Sequence, residues 1–195
     1  INNQVDASTK ELVTALSHNI EAVIETKSDI TNYAASLVGD NFSKDNILKV
    51  LNQPVMKKNF LLAGIGVEAT GETLANDPNW TPPSGYDPRV RAWYKDAKAK
   101  NGFTFTSPYS DADTGEILIS AAAPLISNGR FSGVLFTDLS LKGLSDISNN
   151  AEFFGAGFAF VIGDDGNFIA HPDSKFNGKP MSNAFESDLQ LREGA

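Results

Sequence analysis

Cysteine is absent from this 195-residue chain, which excludes a disulfide framework and thiolate chemistry. Histidine occurs only at His18 and His171, too sparse for a histidine-rich metal site. No apolar run approaches the roughly 20 residues that a bilayer span requires, and nothing at Ile1 reads as a signal peptide. Positive charge is in deficit. With 16 Lys and Arg against 24 Asp and Glu, the formal net charge is −8, which argues against nucleic acid as a partner and against a basic membrane-surface patch. Enzyme signatures are missing too: there is no glycine-rich phosphate loop, no Gly-x-Ser-x-Gly and no His-Glu-x-x-His. What is present is globular. Hydrophobic residues make up 41% and charged residues 21%, so the chain is not disordered. Its length holds one good core, or a main domain with a smaller one.

Apolar residues recur at Leu16, Ile20, Val23, Ile30, Ala34 and Leu37, interrupted by Lys27, and no glycine or proline intervenes before Gly39. This spacing predicts a helix over about 9–38, longer than most globular helices. Ser43 is suited to cap a second helix through Leu51, with Pro54 as its stop. Strands are expected at 60–67, 73–75, 103–106, 116–126 and 131–139, with Asn128-Gly129 as a hairpin turn. A short helix is expected at 91–98 and another at 139–147. A final hairpin is expected from strands 157–162 and 167–170, followed by His171-Pro172. Strand, turn, strand, hairpin, strand implies an antiparallel sheet, and with the helices an α+β fold.

The chemistry concentrates between Tyr86 and Asp138. Arg91 can grip a carboxylate through a two-pronged, charge-assisted fork. Asp111 and Asp138 can accept hydrogen bonds from an ammonium group. Tyr86, Trp93 and Tyr109 can wall a site and add an O–H or N–H each. Trp80 is expected at a pocket rim. On a helix Arg91 and Trp93 would not share a face, so one of them is expected where the loop joins the helix. This mixture suits a small zwitterion. It suits equally well a surface loop with a few ion pairs and ordinary core aromatics.

The tract Asp87-Pro88-Arg89-Val90-Arg91-Ala92-Trp93-Tyr94, followed by Pro108-Tyr109 and Asp113-Thr114-Gly115, resembles the membrane-distal module of double Cache (PAS-like) extracytoplasmic sensor domains. Such domains occur in bacterial methyl-accepting chemotaxis receptors. The order Tyr, Arg-x-Trp, Tyr-x-Asp and a strand-final Asp resembles the amino-acid-binding subset. The resemblance implies that Tyr86, Arg91 and Trp93 hold a ligand carboxylate and that Tyr109, Asp111 and Asp138 hold its amino group. It also implies a long leading helix (1–39) that lines a dimer seam, a ligand-binding Cache module (40–148) with a central antiparallel sheet, and the beginning of a second, truncated or reduced module (149–195). The implied function is binding of a free L-amino acid outside the bacterial inner membrane. The signal would pass through membrane helices of a longer, dimeric receptor, with the fragment alone monomeric or weakly paired. Other Cache sensors for a small carboxylate or amine, serving a histidine kinase or a cyclic-di-nucleotide enzyme, fit the same fold.

Competing sites are weaker. Asp111-Ala112-Asp113-Thr114-Gly115 departs from an EF-hand loop, which needs a Glu where this chain has Ala122. His171 and Asp173 make only two metal ligands, and a hydrogen-bonding histidine is the expectation. Neither metal nor cofactor is expected. The pair Asp111 and Asp138 imitates a two-carboxylate glycosidase only if one of them sits desolvated as an acid. A binding domain rather than an enzyme is expected.

Overall fold

A computed structural model describes residues 2–149 and 160–184. These form two compact units, one of Ile24–Thr106 with Ser110–Ser140, the other of the described residues up to Val23, Ser107–Tyr109 and the described residues from Leu141.

The first unit is built on an antiparallel sheet. Helix α1 (Asn2–Asp40) enters it at Ile24 and buries Thr31, Ala34, Ala35 and Val38, a 3–4 spacing that makes one continuous face. Helix α2 (Lys44–Leu51) is capped by Ser43, whose hydroxyl accepts from the Asn46 N–H, and it buries Ile47, Val50 and Leu51. Pro54 was expected only to end this helix. It also opens a further one, α3 (Pro54–Asn59), because a proline at the first helical position gives up an N–H that has no partner there anyway.

The strands are β1 (Ala63–Val67), β2 (Thr73–Ala75), β3 (Thr104–Phe105), β4 (Tyr109–Ser110), β5 (Ile117–Ser127) and β6 (Arg130–Ser140). Their order is β2-β1-β6-β5-β3, and β4 also pairs with β5. The β5–β6 turn places Asn128 and Gly129 at φ 51° and 73°, a left-handed pair matched to hairpin twist. A bulge follows. Ile126 faces Phe131 but Leu125 faces Gly133, so Ser132 is the extra residue and the pairing beyond it moves by one.

Alternation along β6 sorts the layers. Thr137 turns to α1, where its hydroxyl lies 2.8 Å from that of Thr31. Phe136 turns the other way and packs against Trp93 of α4 (Ala92–Lys100), with ring centroids 4.4 Å apart. Asp138 therefore shares the Phe136 face. The next helix, α5, begins at Leu141, two residues later than expected, because β6 runs on to Ser140. Asp138 is thus a strand residue rather than a helix cap. Trp93 can lie this close to the sheet because β1 carries Gly66 beneath it.

In the second unit, α5 (Leu141–Asn149) accompanies a hairpin of β7 (Val161–Ile162) and β8 (Phe168–Ala170). The start of the expected strand 157–162 lies outside the described residues. His171 is buried, and its Nδ1 accepts from the Asp173 N–H at 3.0 Å. Asn177 accepts from the His171 N–H and donates to Ser145 of α5 at 3.0 Å. This is a hydrogen-bonding histidine, as expected. Along α1, Leu16, Ile20 and Val23 are half-buried. Among the described residues no helix is long and apolar enough to cross a membrane.

A methyl group at Gly66 would meet Pro88 Cβ at 2.8 Å and the Trp93 and Tyr94 rings at 3.0 Å, whereas one at Gly143 would meet nothing within 4 Å. Gly66→Ala should therefore cost about 1–3 kcal/mol of stability through overpacking. Gly143→Ala, inside α5, should be neutral or stabilising by about 0.5–1 kcal/mol. Urea denaturation of the two variants checks the pair.

Candidate functional site

The segment between β2 and α4 sets up the cationic side of the site. Asp87 accepts from the Arg89 N–H and so caps a 3-10 turn at Pro88–Val90. Arg91 follows at φ −75°, ψ 152°, an extended residue standing as N-cap of α4, with no hydrogen bond from its side chain to the helix end. It sits where the loop joins the helix, which frees its guanidinium from the helix face that Trp93 uses. One Arg91 nitrogen donates to the Ser110 carbonyl at 3.4 Å, and the guanidinium lies 5.8 Å from the centre of the Tyr86 ring.

Tyr86 is where the charges meet. Burial pushes its hydroxyl up to about 12, while the Arg91 cation acts in the opposite direction. The Asp138 and Asp111 carboxylates add to the rise, and a hydrogen bond with Trp93 opposes it. One phenol thus senses a cation, two carboxylates and the Trp93 indole. Trp93 itself is 2% exposed.

The carboxylate side lies on the same face of the sheet. Asp138 is 3% exposed and its Oδ1 accepts from the Ser120 hydroxyl at 2.5 Å. Ser120 stands directly opposite it in the β5–β6 register. The Asp138 N–H and C=O pair with Leu62 and Leu61 at 2.8 and 2.9 Å, so the main chain is fixed to the segment that leads into β1. Asp111 organises a turn. Its Oδ1 accepts from the Thr114 N–H at 2.8 Å, the Thr114 hydroxyl at 3.0 Å and the Asp113 N–H at 3.1 Å. Burial alone would raise its pKa, but these donors outweigh burial and hold the carboxyl below its ordinary value.

Asp111 and Asp138 both line a cavity of about 240 Å³. Leu61, Leu62, Leu118 and Trp80 also line it. Trp80 meets Tyr86 edge-on, centroids 5.8 Å apart. The sequence-expected residues therefore fall into two adjoining groups. Trp80, Asp111 and Asp138 line the cavity, while Tyr86, Arg91 and Trp93 stand beside it, joined to it through Tyr86. Tyr109 is half-buried at the start of β4 and belongs to the other unit.

Sequence reasoning missed Ser120, the lining leucines and Glu68. Glu68 accepts from the Tyr94 hydroxyl and from Lys98 Nζ, each at 2.6 Å, while its carbonyl accepts from Arg89 at 3.3 Å. Tyr94 and Lys98 belong to α4, and Arg89 to the 3-10 turn. One residue at the end of β1 therefore clamps both flanks of Arg91. The Arg89 guanidinium in turn forks onto Asp87, with a closest approach of 2.8 Å. Hydrogen bonds from Lys98 and Tyr94 lower the Glu68 pKa, with burial opposing.

A family model for the Cache domain matches residues 1–195. The chain is 29% identical over 186 residues to the methyl-accepting chemotaxis protein PscA of Pseudomonas syringae pv. tomato, covering 95% of this chain and 29% of that protein. It is 33% identical over 156 residues to the methyl-accepting chemotaxis protein PctB of Pseudomonas aeruginosa, covering 80% and 24%. It thus spans under a third of the length of these relatives. Among solved structures it resembles the ligand-binding domain of the Pseudomonas fluorescens chemoreceptor CtaA in complex with L-serine. The TM-score is 0.87 and the identity 31%, over 96% of this chain and 81% of that one.

The Glu68 clamp has a pH signature. A third of this side chain is exposed, so screening limits the charge contribution to about 1 kcal/mol. Glu68→Gln should lower the melting temperature by about 2–8 °C at neutral pH. Because the folded-state pKa is depressed, the wild-type advantage is present above the ordinary carboxylate value of 4.5 and fades as pH falls through the folded value. Melting curves of both proteins from neutral to acid pH check this.

Proposed function

The chain belongs to the Cache domain family, and from that membership we propose that it is the ligand-binding part of a chemotaxis receptor and takes a free L-amino acid. The observation that carries this reading is that Asp111 and Asp138 line one 240 Å³ cavity whose Trp80 meets Tyr86 edge-on, with the Arg91 guanidinium 5.8 Å from that Tyr86 ring. Two carboxylates and a guanidinium are complementary to the two ends of a zwitterion. That volume is smaller than the roughly 300–1,000 Å³ of drug-sized sites, and it suits a single amino acid. In this reading Arg91 forks onto the ligand carboxylate, with Tyr86 and Trp93 as supporting donors. Asp138 and Asp111 take the ammonium group.

The ligand module is proposed to be 40–148, with 149–195 opening a second module and 1–39 serving as the connecting helix. Pairing of two receptors along that helix, in an extracytoplasmic setting ahead of membrane helices, completes the proposal. A two-carboxylate hydrolase is a poorer reading, because the relatives that the chain matches are chemotaxis receptors.

Calorimetry against the twenty amino acids, with decarboxylated and deaminated analogues, tests the reading. An amino acid should bind and its amine and acid analogues should not. Equal binding of the decarboxylated amine would remove Arg91 from its role. Arg91→Ala should cost roughly 2–5 kcal/mol of affinity, because it strands a buried partner charge. Lys95→Ala, on the exposed side of α4, should cost about 1 kcal/mol or less. Asp138→Asn should weaken binding strongly without loss of the cooperative melting transition.

A further inference from the structure

We propose that Ser120 is a positioning residue for the ligand ammonium group, which it serves by setting the orientation of the Asp138 carboxylate. The inference rests on the amino-acid reading above and concerns how the buried anion of that reading is aimed.

Ser120 is fully buried, and Asp138 is 3% exposed. Residues two apart on a strand share a face, so Ser120 lies on the same face of β5 as Leu118, which lines the cavity with Asp138. Ser120 stands opposite Asp138 in the β5–β6 register, yet the two main chains turn away from each other. The Ser120 N–H donates to the Thr106 hydroxyl at 3.0 Å, and its carbonyl accepts from the Thr106 N–H at 2.9 Å. The Asp138 N–H and C=O go instead to Leu62 and Leu61. This is the non-hydrogen-bonded kind of antiparallel pair, in which Cα atoms are about 4.5 Å apart and side chains are closest. A short side chain is needed to meet an aspartate across that gap. Serine supplies one, and its hydroxyl donates to Asp138 Oδ1 at 2.5 Å.

With both main chains held, that bond governs the last torsion of Asp138. Fixing Oδ1 sets the plane of the carboxylate and with it the direction of Oδ2. Asp111, the other carboxylate of the reading, is held in the same way. Its Oδ1 accepts from the Thr114 N–H, the Thr114 hydroxyl and the Asp113 N–H. Each anion is thus oriented through one oxygen, Asp111 by its own turn and Asp138 by the neighbouring strand.

Stability alone does not call for the Ser120–Asp138 pair. A buried, hydrogen-bonded charge is often no more stabilising than a well-packed apolar residue of the same volume. Retention of an aspartate and its hydroxyl donor inside the sheet, beside a cavity, fits the recognition of a cation, and recognition requires a fixed direction.

The test uses Ser120→Ala, which removes the hydroxyl, and Ser120→Cys, which keeps its shape but donates weakly. The twenty L-amino acids are screened against the wild type by calorimetry. The tightest binder and its N-methyl derivative are then titrated into all three proteins, well below their melting transitions. Both variants should bind the amino acid at least about tenfold more weakly. The wild type should prefer the amino acid to its N-methyl derivative, because the methyl group replaces an N–H donor that an aimed carboxylate accepts. That preference should narrow towards one in the variants. If Ser120→Ala does not fold, Ser120→Cys carries the test. Variants that melt earlier yet bind both compounds as the wild type does would reveal a structural hydroxyl and overturn the proposal, leaving the amino-acid reading intact. An unchanged preference despite weaker binding would also overturn it. Binding of no amino acid by the wild type would overturn both.

Discussion

A carboxylate buried inside a sheet is expensive unless it is hydrogen-bonded, and the described architecture around Asp138 meets that requirement. Its backbone is paired to Leu61 and Leu62 on one side. Its side chain is met by the Ser120 hydroxyl from β5. The cavity keeps the same carboxylate in reach of a ligand. The apolar burial that holds the unit together comes from the α1 face, the Trp93–Phe136 stack and the strands themselves, where Ile65, Leu125, Val134 and Leu135 are fully buried.

Arg91 shows the complementary solution for a cation. It is neither buried nor part of a regular element. It stands at a junction whose two flanks are held by Glu68 and Arg89, themselves outside the cavity. The site therefore pairs an anion fixed by sheet register with a cation fixed by a clamp. Both depend on strand β1, through its pairing to β6 and through Glu68 at its end.

Much of this was legible from the chain alone. The stripe from Leu16 to Leu37, interrupted only by Lys27 and free of glycine and proline, gave the long helix, Ser43 its successor's cap, and Asn128-Gly129 the hairpin. Local signals of this kind rest on backbone preference, which needs no tertiary context. The tract from Asp87 to Tyr94 and the carboxylates at 111 and 138 marked the neighbourhood of the candidate cavity, which Asp111 and Asp138 line. The partner of Asp138 was not legible. Counting back from the Asn128-Gly129 turn in unbroken register sets Ile119 opposite Asp138. The bulge at Ser132 moves the pairing by one and brings Ser120 there instead, and no local residue preference announces a bulge. Glu68 was hidden for a similar reason: its three partners lie 21, 26 and 30 residues away, a distance that periodicity does not see. Pro54 misled because the same residue that ends one helix is favoured at the start of another.

Thr137 and Asp138 are consecutive residues, yet one faces α1 and the other faces the cavity. Thr137 and Thr31 are both fully buried, and their hydroxyls meet at 2.8 Å. Between the carboxylate and the helix there is thus a single peptide unit, planar and stiff about its central bond. Loops act as springs that absorb displacement, but this path contains none. Displacement of Asp138 reaches Thr31 through one peptide unit, the short Thr137 side chain and a single hydrogen bond. The strand behaves as a short rigid lever rather than as a compliant wall.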